Sequence, residues 1–242
     1  MKLKIMSKVL FLLVAALFAT SCSQAYQSRY GFLTQKELPD ATQFLPAPPT
    51  SGPEYDKDVE YYENGKKLRQ DPKVHDHCLH LDTLEMNAVF NEALGFQLLG
   101  PETDEIVSLV AGSVRDAHRV SKPVKEYFHR LKPFQVFNEA SLKKNAKKAM
   151  SSSTYAYPSG HAVRSWMYAF VLADVAPEYK DALYKCAQDY SDCRVIMGRH
   201  WQTDIVAGKM LSEKVHEVLM QSPAYKAQLK LAREQYQEIK KK

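Results

Sequence analysis

Apolar side chains recur three and four positions apart along most of the chain after Tyr55, which is the spacing of amphipathic α-helices. One such stripe consists of Ile106, Leu109, Val110, Val114 and Ala117. Residues 161–175 are apolar on most sides, as expected of a helix at the centre of a bundle, and Pro177 follows that segment. Alternating strand patterns are nearly absent, and the sequence contains no internal repeat. The pattern predicts one all-α domain over residues 55–242.

A proline-rich stretch precedes this helical region. Residues 26–54 are rich in proline and polar side chains, most densely between Leu45 and Pro53. Repeated prolines interrupt helices and favour extended backbone. We therefore predict an extended arm at residues 26–54.

The first 25 residues have the features of an export signal. Their positive charges are Lys2, Lys4 and Lys8. An apolar run of eleven residues, 9–19, follows and is too short to span a bilayer comfortably. Cleavage is expected either before Cys22, which would then carry a lipid, or after Ala25. We expect residues 1–25 to be a signal peptide and the mature protein to be periplasmic, either soluble or anchored as a lipoprotein.

Composition and charge exclude several classes of protein. The chain is 45% hydrophobic and 25% charged, as globular proteins are, so it is not predicted to be disordered. The net charge is +5, but three of the lysines lie in the signal and no long Lys/Arg stripe remains, so no nucleic-acid partner is predicted. No segment after residue 25 has about 18 consecutive apolar residues, so no multi-span membrane protein is predicted.

Three cysteines follow the signal region: Cys78, Cys186 and Cys193. In an oxidising compartment one disulfide can form among them, which leaves one thiol over. Cys186 and Cys193 would lie about 10 Å apart on one continuous helix, too far for a bridge, so their pairing requires a break in that helix. The sequence leaves the pairing open.

Two segments carry side chains suited to binding phosphate. In residues 157–161, Pro and Gly shape a tight entry into a helix, and Ser159 with the first helical amides would form an anion site. His161 would lie at the edge of that site, near a bound phosphate. Lys125 and Lys132 of an earlier segment add two cations.

A third segment, residues 193–204, combines a guanidinium with a histidine and a carboxylate. Arg194 is suited to donating hydrogen bonds to two phosphate oxygens at once. His200 and Asp204 are four positions apart, one helical turn. The carboxylate can accept a hydrogen bond from one imidazole nitrogen and leave the other nitrogen free to attack.

The order of these segments resembles that of the type 2 phosphatidic acid phosphatase superfamily, whose motifs are Lys-x6-Arg-Pro, Pro-Ser-Gly-His and Ser-Arg-x5-His-x3-Asp. That superfamily includes bacterial class A non-specific acid phosphatases, lipid phosphate phosphatases and vanadium haloperoxidases. The likeness to the class A enzymes extends to the proline-rich region at 45–69 and to 222–225 with the last helix. The resemblance implies an all-α acid phosphatase that hydrolyses small phosphate esters, such as nucleotides or sugar phosphates.

The resemblance also implies a role for each matching residue. The residues that would bind the phosphoryl group are Lys125, Lys132, Ser159, Gly160 and Arg194. His200 would be the nucleophile that forms a phosphohistidine, Asp204 would orient it, and His161 would protonate the leaving oxygen. Lys132 stands where the family has Arg, and Cys193 stands where it has Ser. Neither departure removes the nucleophile or the acid, so an active enzyme is expected.

Three other functions are alternatives to this interpretation. A lipid or lipopolysaccharide phosphate phosphatase at the membrane surface would use the same residues. A vanadium haloperoxidase would too, but the likeness of the flanking regions to class A enzymes disfavours it. A non-catalytic exported phosphate-binding protein would have a site decayed at Lys132 and Cys193. The sequence leaves open a lipid anchor in the membrane and a homo-oligomer.

Residues 75–82 form a dense group of His, Cys and Asp that could bind zinc or copper. Their spacing matches no structural zinc pattern, and Cys78 is a candidate for oxidation. The three motif segments contain no metal-ligand set. We therefore predict neither a metal nor another cofactor.

Overall fold

The computed structural model describes residues 31–142 and 155–242, and these ranges contain helices but no strand. The α-helices are α1 (Pro53–Leu68), α2 (Pro72–Thr83), α3 (Met86–Leu94), α4 (Asp104–Phe128), α5 (Pro133–Val136), α6 (Gly160–Val175), α7 (Lys180–Ile196), α8 (Gln202–Leu219) and α9 (Pro223–Ile239). The all-α prediction is confirmed. The predictions for residues 1–25, with Cys22 and Ala25, lie outside the described residues.

The helix α6 lies at the centre of the bundle. Most of its side chains are apolar, and Ala162, Met167, Ala169 and Val171 are fully buried. It packs against α4, α7 and α8, and α9 packs in turn against α4. Burial of this apolar helix on several sides supplies much of the hydrophobic core. Among the described helices, none combines the length and apolar character that crossing a membrane requires.

Gly208 of α8 lets the start of α6 pack closely against it. A Cβ atom at this position would lie 2.8 Å from the Cβ of Ala162 and 3.0 Å from the carbonyl oxygen of Ser159. A larger residue would therefore push the two helices apart. The backbone N–H of Ser159 also donates to the carbonyl oxygen of Asp204, at 2.9 Å. These contacts bring the Pro-Ser-Gly-His segment next to the segment that contains His200.

A disulfide joins Cys78 of α2 to Cys193 of α7, and Cys186 remains a free thiol. The Cα atoms of the bonded pair are 5.2 Å apart. A cross-link between residues so distant in sequence stabilises the fold by restricting the unfolded chain. It also fixes α2, and with it Asp82, against the part of α7 that contains Arg194.

The described part of the proline-rich arm, residues 31–52, contains one short 3-10 helix and is otherwise irregular. Its first residues pack on the bundle, because Phe32 and Leu33 are buried and their backbone N–H groups donate to Asp116 of α4, at 2.7 and 3.1 Å. Gly31 has a φ of +85°, and a Cβ there would lie 2.2 Å from the Asp116 carboxylate. The carboxylate of Asp116 therefore anchors this end of the arm.

Asp116 is expected to make the stability of the protein depend on pH. Burial raises the pKa of this carboxyl from 3.8 to about 6, against the opposing hydrogen bonds of Phe32 and Leu33. Because the folded pKa lies above the unfolded value, the folded state holds the extra proton. Its contribution to the free energy of unfolding is full below about pH 4 and is lost as pH rises to about 6. For Asp116→Asn, urea denaturation should show the wild type losing up to about 3 kcal/mol relative to the variant between pH 4 and pH 7.

The exposed Asp56 provides the control for this prediction. The difference between wild type and Asp56→Asn should change little over the same pH range. An Asp116→Asn difference that is the same at pH 4 and pH 7 would contradict the assignment of the raised pKa.

Candidate active site

A cavity of about 240 Å³ opens where the end of α4, the start of α6 and the turn between α7 and α8 meet. Five of the predicted site residues line it: Lys125, Lys132, Gly160, His161 and His200. The ends of three helices from distant parts of the sequence thus contribute to one concave surface. The cavity is rich in positively charged side chains, as an anion site requires.

His200 and Asp204 form a hydrogen-bonded pair beside this cavity. Nδ1 of His200 lies 3.3 Å from Oδ2 of Asp204, and both side chains are buried. Burial lowers the pKa of His200 well below its ordinary value, and the charges of Lys125 and Lys132 act in the same direction. The imidazole is therefore neutral near pH 7. With its Nδ1 proton donated to the carboxylate, it has a lone pair at Nε2.

A buried ion network holds Asp204 in place. Nη1 of Arg130 donates to Oδ1 of Asp204 and to Oγ1 of Thr203, both at 2.7 Å, while Nη2 donates to Oδ2 of Asp58 at 2.7 Å. Asp58 belongs to α1 and also accepts from the backbone N–H of Thr203, at 2.9 Å. Burial raises the pKa of Asp204, and the charge of Arg130 opposes that rise. Arg130 thus compensates two buried carboxylates at once.

His161 lies across the cavity from His200 and Asp204. Its ring centroid is 6.5 Å from that of His200, and its side chain is partly buried at the start of α6. Burial lowers its pKa well below the ordinary value, and the positive charge of Arg194 adds to that effect. A bound phosphate dianion would act in the opposite direction, because a nearby negative charge favours the protonated imidazole.

Lys125 and Lys132 lie on the wall of the cavity formed by α4 and α5. Nζ of Lys125 donates to the carbonyl oxygens of Tyr155, at 3.0 Å, and Pro158. Burial lowers the pKa of Lys125 to about 8, which leaves it mostly protonated at acidic pH. Lys132 precedes α5 and is buried.

Ser159 and Gly160 take different parts in the start of α6. Oγ of Ser159 accepts a hydrogen bond from the backbone N–H of Ala162 at 3.4 Å, so its side chain caps the helix and is fully buried. Gly160 lines the cavity directly. The helix N-terminus thus presents its backbone, rather than the serine hydroxyl, to the cavity.

Arg194 is buried behind the cavity and does not line it. Its Nη1 and Nη2 atoms donate to Oδ1 of Asp82, at 2.8 and 2.7 Å. The disulfide described above joins α2 to α7 one residue before Arg194, which keeps Asp82 close to this guanidinium. Its guanidinium still acts on the cavity through its charge, since it lowers the pKa of both His161 and His200.

Comparison with known protein families agrees with this geometry. Residues 106–227, which contain the cavity-lining residues named above, match the model of the PAP2 superfamily. The chain belongs to the PAP2 superfamily. The predicted membership in the type 2 phosphatidic acid phosphatase superfamily is thereby confirmed.

Three curated bacterial enzymes are similar to this PAP2 protein over most of its length. A non-specific acid phosphatase of Providencia stuartii is 28% identical over 214 residues, which cover 87% of this chain and 86% of that enzyme. A non-specific acid phosphatase of Salmonella typhimurium is 26% identical and covers 84% and 83%. An acid phosphatase of Zymomonas mobilis is 22% identical and covers 94% and 89%. The prediction of a phosphatase is confirmed.

Further residues line the cavity of this PAP2 protein that the sequence analysis does not single out, among them His118, Ser121, Arg164 and Arg199. Arg164 follows His161 by three positions on α6, which places it one turn away on the same face. Arg199 directly precedes the candidate nucleophile. Helical spacing could have pointed to Arg164, but the position of Arg199 depends on a turn that the sequence does not specify.

A second cavity, of about 650 Å³, adjoins the first, and His161 and Arg164 line both. Helix α3 and the chain on either side of it provide much of its wall, with the side chains of Glu85, Asn91 and Gln97. Much of this wall is polar. The second cavity therefore lies on the His161 side of the first cavity.

The His, Cys and Asp residues of segment 75–82 do not converge on one point. His77 pairs with Asp189 at 2.8 Å, Cys78 is in the disulfide, and Asp82 pairs with Arg194. Within the described ranges, the group of possible ligands whose atoms lie close together is His77, Asp189 and Cys193. Because Cys193 is bonded to Cys78, it has no thiolate to offer a metal.

Proposed function

We propose that this protein is an exported acid phosphatase that hydrolyses phosphate monoesters through a phosphohistidine at His200. The observation that carries the proposal is the hydrogen bond between Nδ1 of the buried His200 and Asp204, beside a cavity lined by cations. This pairing is the arrangement by which a carboxylate orients an imidazole nucleophile.

The first step transfers the phosphoryl group to the protein. The lone pair of His200 Nε2 attacks phosphorus, the bond from phosphorus to the ester oxygen breaks, and protonated His161 gives its proton to that oxygen. Asp204 stabilises the positive charge that develops on the His200 ring. Lys125, Lys132 and the N-terminus of α6 at Gly160 neutralise the charge on the non-bridging oxygens.

The second step returns the protein to its starting state. Neutral His161 now accepts a proton from water, whose oxygen attacks phosphorus and displaces Nε2 of His200. Inorganic phosphate leaves, and the electron pair of the broken P–N bond returns to the imidazole. His161 thus alternates between acid and base, as microscopic reversibility of the two half-reactions requires.

The electrostatics of the site support activity at acidic pH. Burial and nearby cations keep His200 neutral even below its ordinary pKa, so the nucleophile remains available in acid. The same surroundings lower the pKa of His161, so protonation of the general acid requires acidic solution together with the bound phosphate dianion. The two requirements give a bell-shaped pH profile on the acidic side of neutrality.

The polar wall of the second cavity is an argument for small polar leaving groups, such as the sugars of nucleotides or sugar phosphates. Glu85, Asn91 and Gln97 line its wall with polar side chains, and Nδ2 of Asn91 donates to Oε1 of Gln97 at 2.6 Å. Its position beside His161 would place a sugar hydroxyl oxygen next to the proton donor. We propose small phosphate esters of this kind as substrates.

The location of the enzyme is proposed from the sequence alone. The basic residues and short apolar run of segment 1–25 favour export to the periplasm. Cys22 is proposed as the site of lipidation if cleavage occurs before it, which would tether the enzyme to a membrane through the 26–54 arm.

Trapping of the covalent intermediate tests this function. Rapid acid-free quenching of the enzyme during turnover of a radiolabelled phosphate monoester should leave phosphate on His200, stable in alkali and labile in acid. The exposed His80 provides a matched control, and His80→Ala should trap label as the wild type does. Hydrolysis without a trapped intermediate, or label on a residue other than His200, would refute the mechanism, and absence of hydrolysis would refute the function.

A further inference from the structure

Arg199 combines burial, an unsatisfied donor and a place in the phosphate cavity. Arg199 is 8% exposed, and it lines the cavity together with His161 and His200. Its Nη1 atom is buried and has no hydrogen-bond partner within residues 31–142 and 155–242. Leaving a buried charged donor unpaired is costly, so buried guanidinium groups are normally paired. An anion bound in the cavity would supply the missing acceptor.

The turn that contains Arg199 is firmly held. Backbone N–H groups of Arg199 and His200 both donate to the carbonyl oxygen of Arg194, at 2.9 and 3.2 Å. Gly198 has a φ of +73°, and a Cβ there would lie 3.0 Å from Nη1 of Arg69. The backbone of Arg199 is thus fixed in the same turn as that of the nucleophile.

Among the described residues, no carboxylate is paired with Arg199 in the way that Asp82 is paired with Arg194. Oδ1 of Asp82 accepts both N–H groups of Arg194, at 2.8 and 2.7 Å. Burial lowers the pKa of Arg199, the charge of Arg194 lowers it further, and Asp82 only opposes these effects from a distance. Positive charge therefore accumulates at the cavity, which favours binding of a multiply charged anion.

We propose that Arg199 binds the phosphoryl group and supplies the two-pronged guanidinium contact that the ammonium of Lys132 cannot make. A guanidinium donates two parallel hydrogen bonds to phosphate oxygens, whereas an ammonium acts as a point charge. The departure at Lys132 is then compensated by an arginine next to the nucleophile. The ligand class is a tetrahedral or trigonal-bipyramidal oxyanion, and the inference rests on the proposed phosphatase function.

Binding of orthovanadate and inorganic phosphate tests this assignment without requiring turnover. Calorimetric titration should show affinity for vanadate falling about 100-fold in Arg199→Gln and about 10-fold in Arg199→Lys. The rate constant kcat/KM for p-nitrophenyl phosphate should fall in parallel. Introducing Lys132→Arg into Arg199→Lys should restore most of both quantities, since it returns a guanidinium to the cavity.

Arg115 provides the matched control. Its Nη1 atom is also buried and unpaired in the described structure, but Arg115 does not line the cavity. Arg115→Gln should leave vanadate affinity unchanged even if it alters thermal stability. If Arg199→Gln fails to fold, the test rests on the Arg199→Lys variant and on the double variant that combines it with Lys132→Arg.

The possible outcomes separate this inference from the proposed function. Reduced vanadate affinity in the Arg199 variants supports the assignment even if no phosphohistidine is ever trapped. Vanadate affinity equal to that of the wild type in folded Arg199→Lys and Arg199→Gln overturns it, whatever the catalytic activity. Failure of Lys132→Arg to restore binding would overturn the compensation between the two positions.

Discussion

Replacing His200 with alanine is expected to reduce kcat by at least about 10⁴-fold for every phosphate ester. The variant has no side-chain nitrogen to form the covalent bond, and among the described residues that line the cavity no other imidazole is paired with a buried carboxylate as His200 is with Asp204. Steady-state assays with an aryl ester and an alkyl ester should show the same loss, since both substrates need the nucleophile. Vanadate binding should fall less than turnover does.

His161→Ala provides the contrast for this prediction. The variant should lose about 10²-fold or more with alkyl phosphates, whose leaving oxygen needs a proton, but far less with p-nitrophenyl phosphate, whose leaving anion is stable. Equal losses on the two ester types in His161→Ala would overturn its role as the acid. Retention of more than a few per cent of wild-type activity in His200→Ala would overturn the nucleophile.

The helical fold follows from local patterns that the sequence displays directly. Apolar spacing of three and four residues is a property of each segment alone. The apolar character of segment 161–175 is also local, and it predicts a central helix. The structure places helix α6 at Gly160–Val175, within one residue of that segment. The hydrogen bonds from the backbone of Phe32 and Leu33 to Asp116 are different, because they join residues more than eighty positions apart and no local pattern predicts them.

The candidate site likewise has features that the sequence predicts and contacts that it does not. The motif order is sufficient to predict that Lys125, His161 and His200 meet, and they line one cavity. The orientation of Arg194 is not predictable, because its contact with Asp82 depends on a disulfide whose pairing the sequence leaves open. Such contacts depend on the packing of distant helices, which motif spacing does not encode.

Arg199 shows a further limit of motif-based prediction. Its position within the third motif is one of the variable ones, so the motif assigns it no role. Only the turn at Gly198, fixed by the carbonyl oxygen of Arg194, places it on the cavity with an unpaired donor. A residue can thus join a phosphate site through the geometry of a turn while the motif around it stays the same.

Replacing Arg130 with methionine is expected to lower the free energy of unfolding by about 3–5 kcal/mol at pH 7. The guanidinium bonds Asp58 and Asp204 at 2.7 Å each, and both carboxylates are buried. Methionine would fill much of the space but leave two buried carboxylates without the guanidinium that bonds both of them. The matched control is Lys66→Met, which removes a partly exposed ion pair with Glu139 and should cost less than about 1 kcal/mol.

The loss in Arg130→Met should be smaller at pH 5 than at pH 7. Burial already raises the pKa of Asp204, and without the opposing charge of Arg130 this carboxyl takes up a proton more readily. A group whose folded pKa is raised contributes most to stability at low pH, so acidification relieves the variant more than the wild type. Urea denaturation of both proteins at the two pH values measures this difference. A loss below 1 kcal/mol would show that the two carboxylates do not depend on Arg130. An equal loss at both pH values would contradict the predicted protonation of Asp204 in the variant.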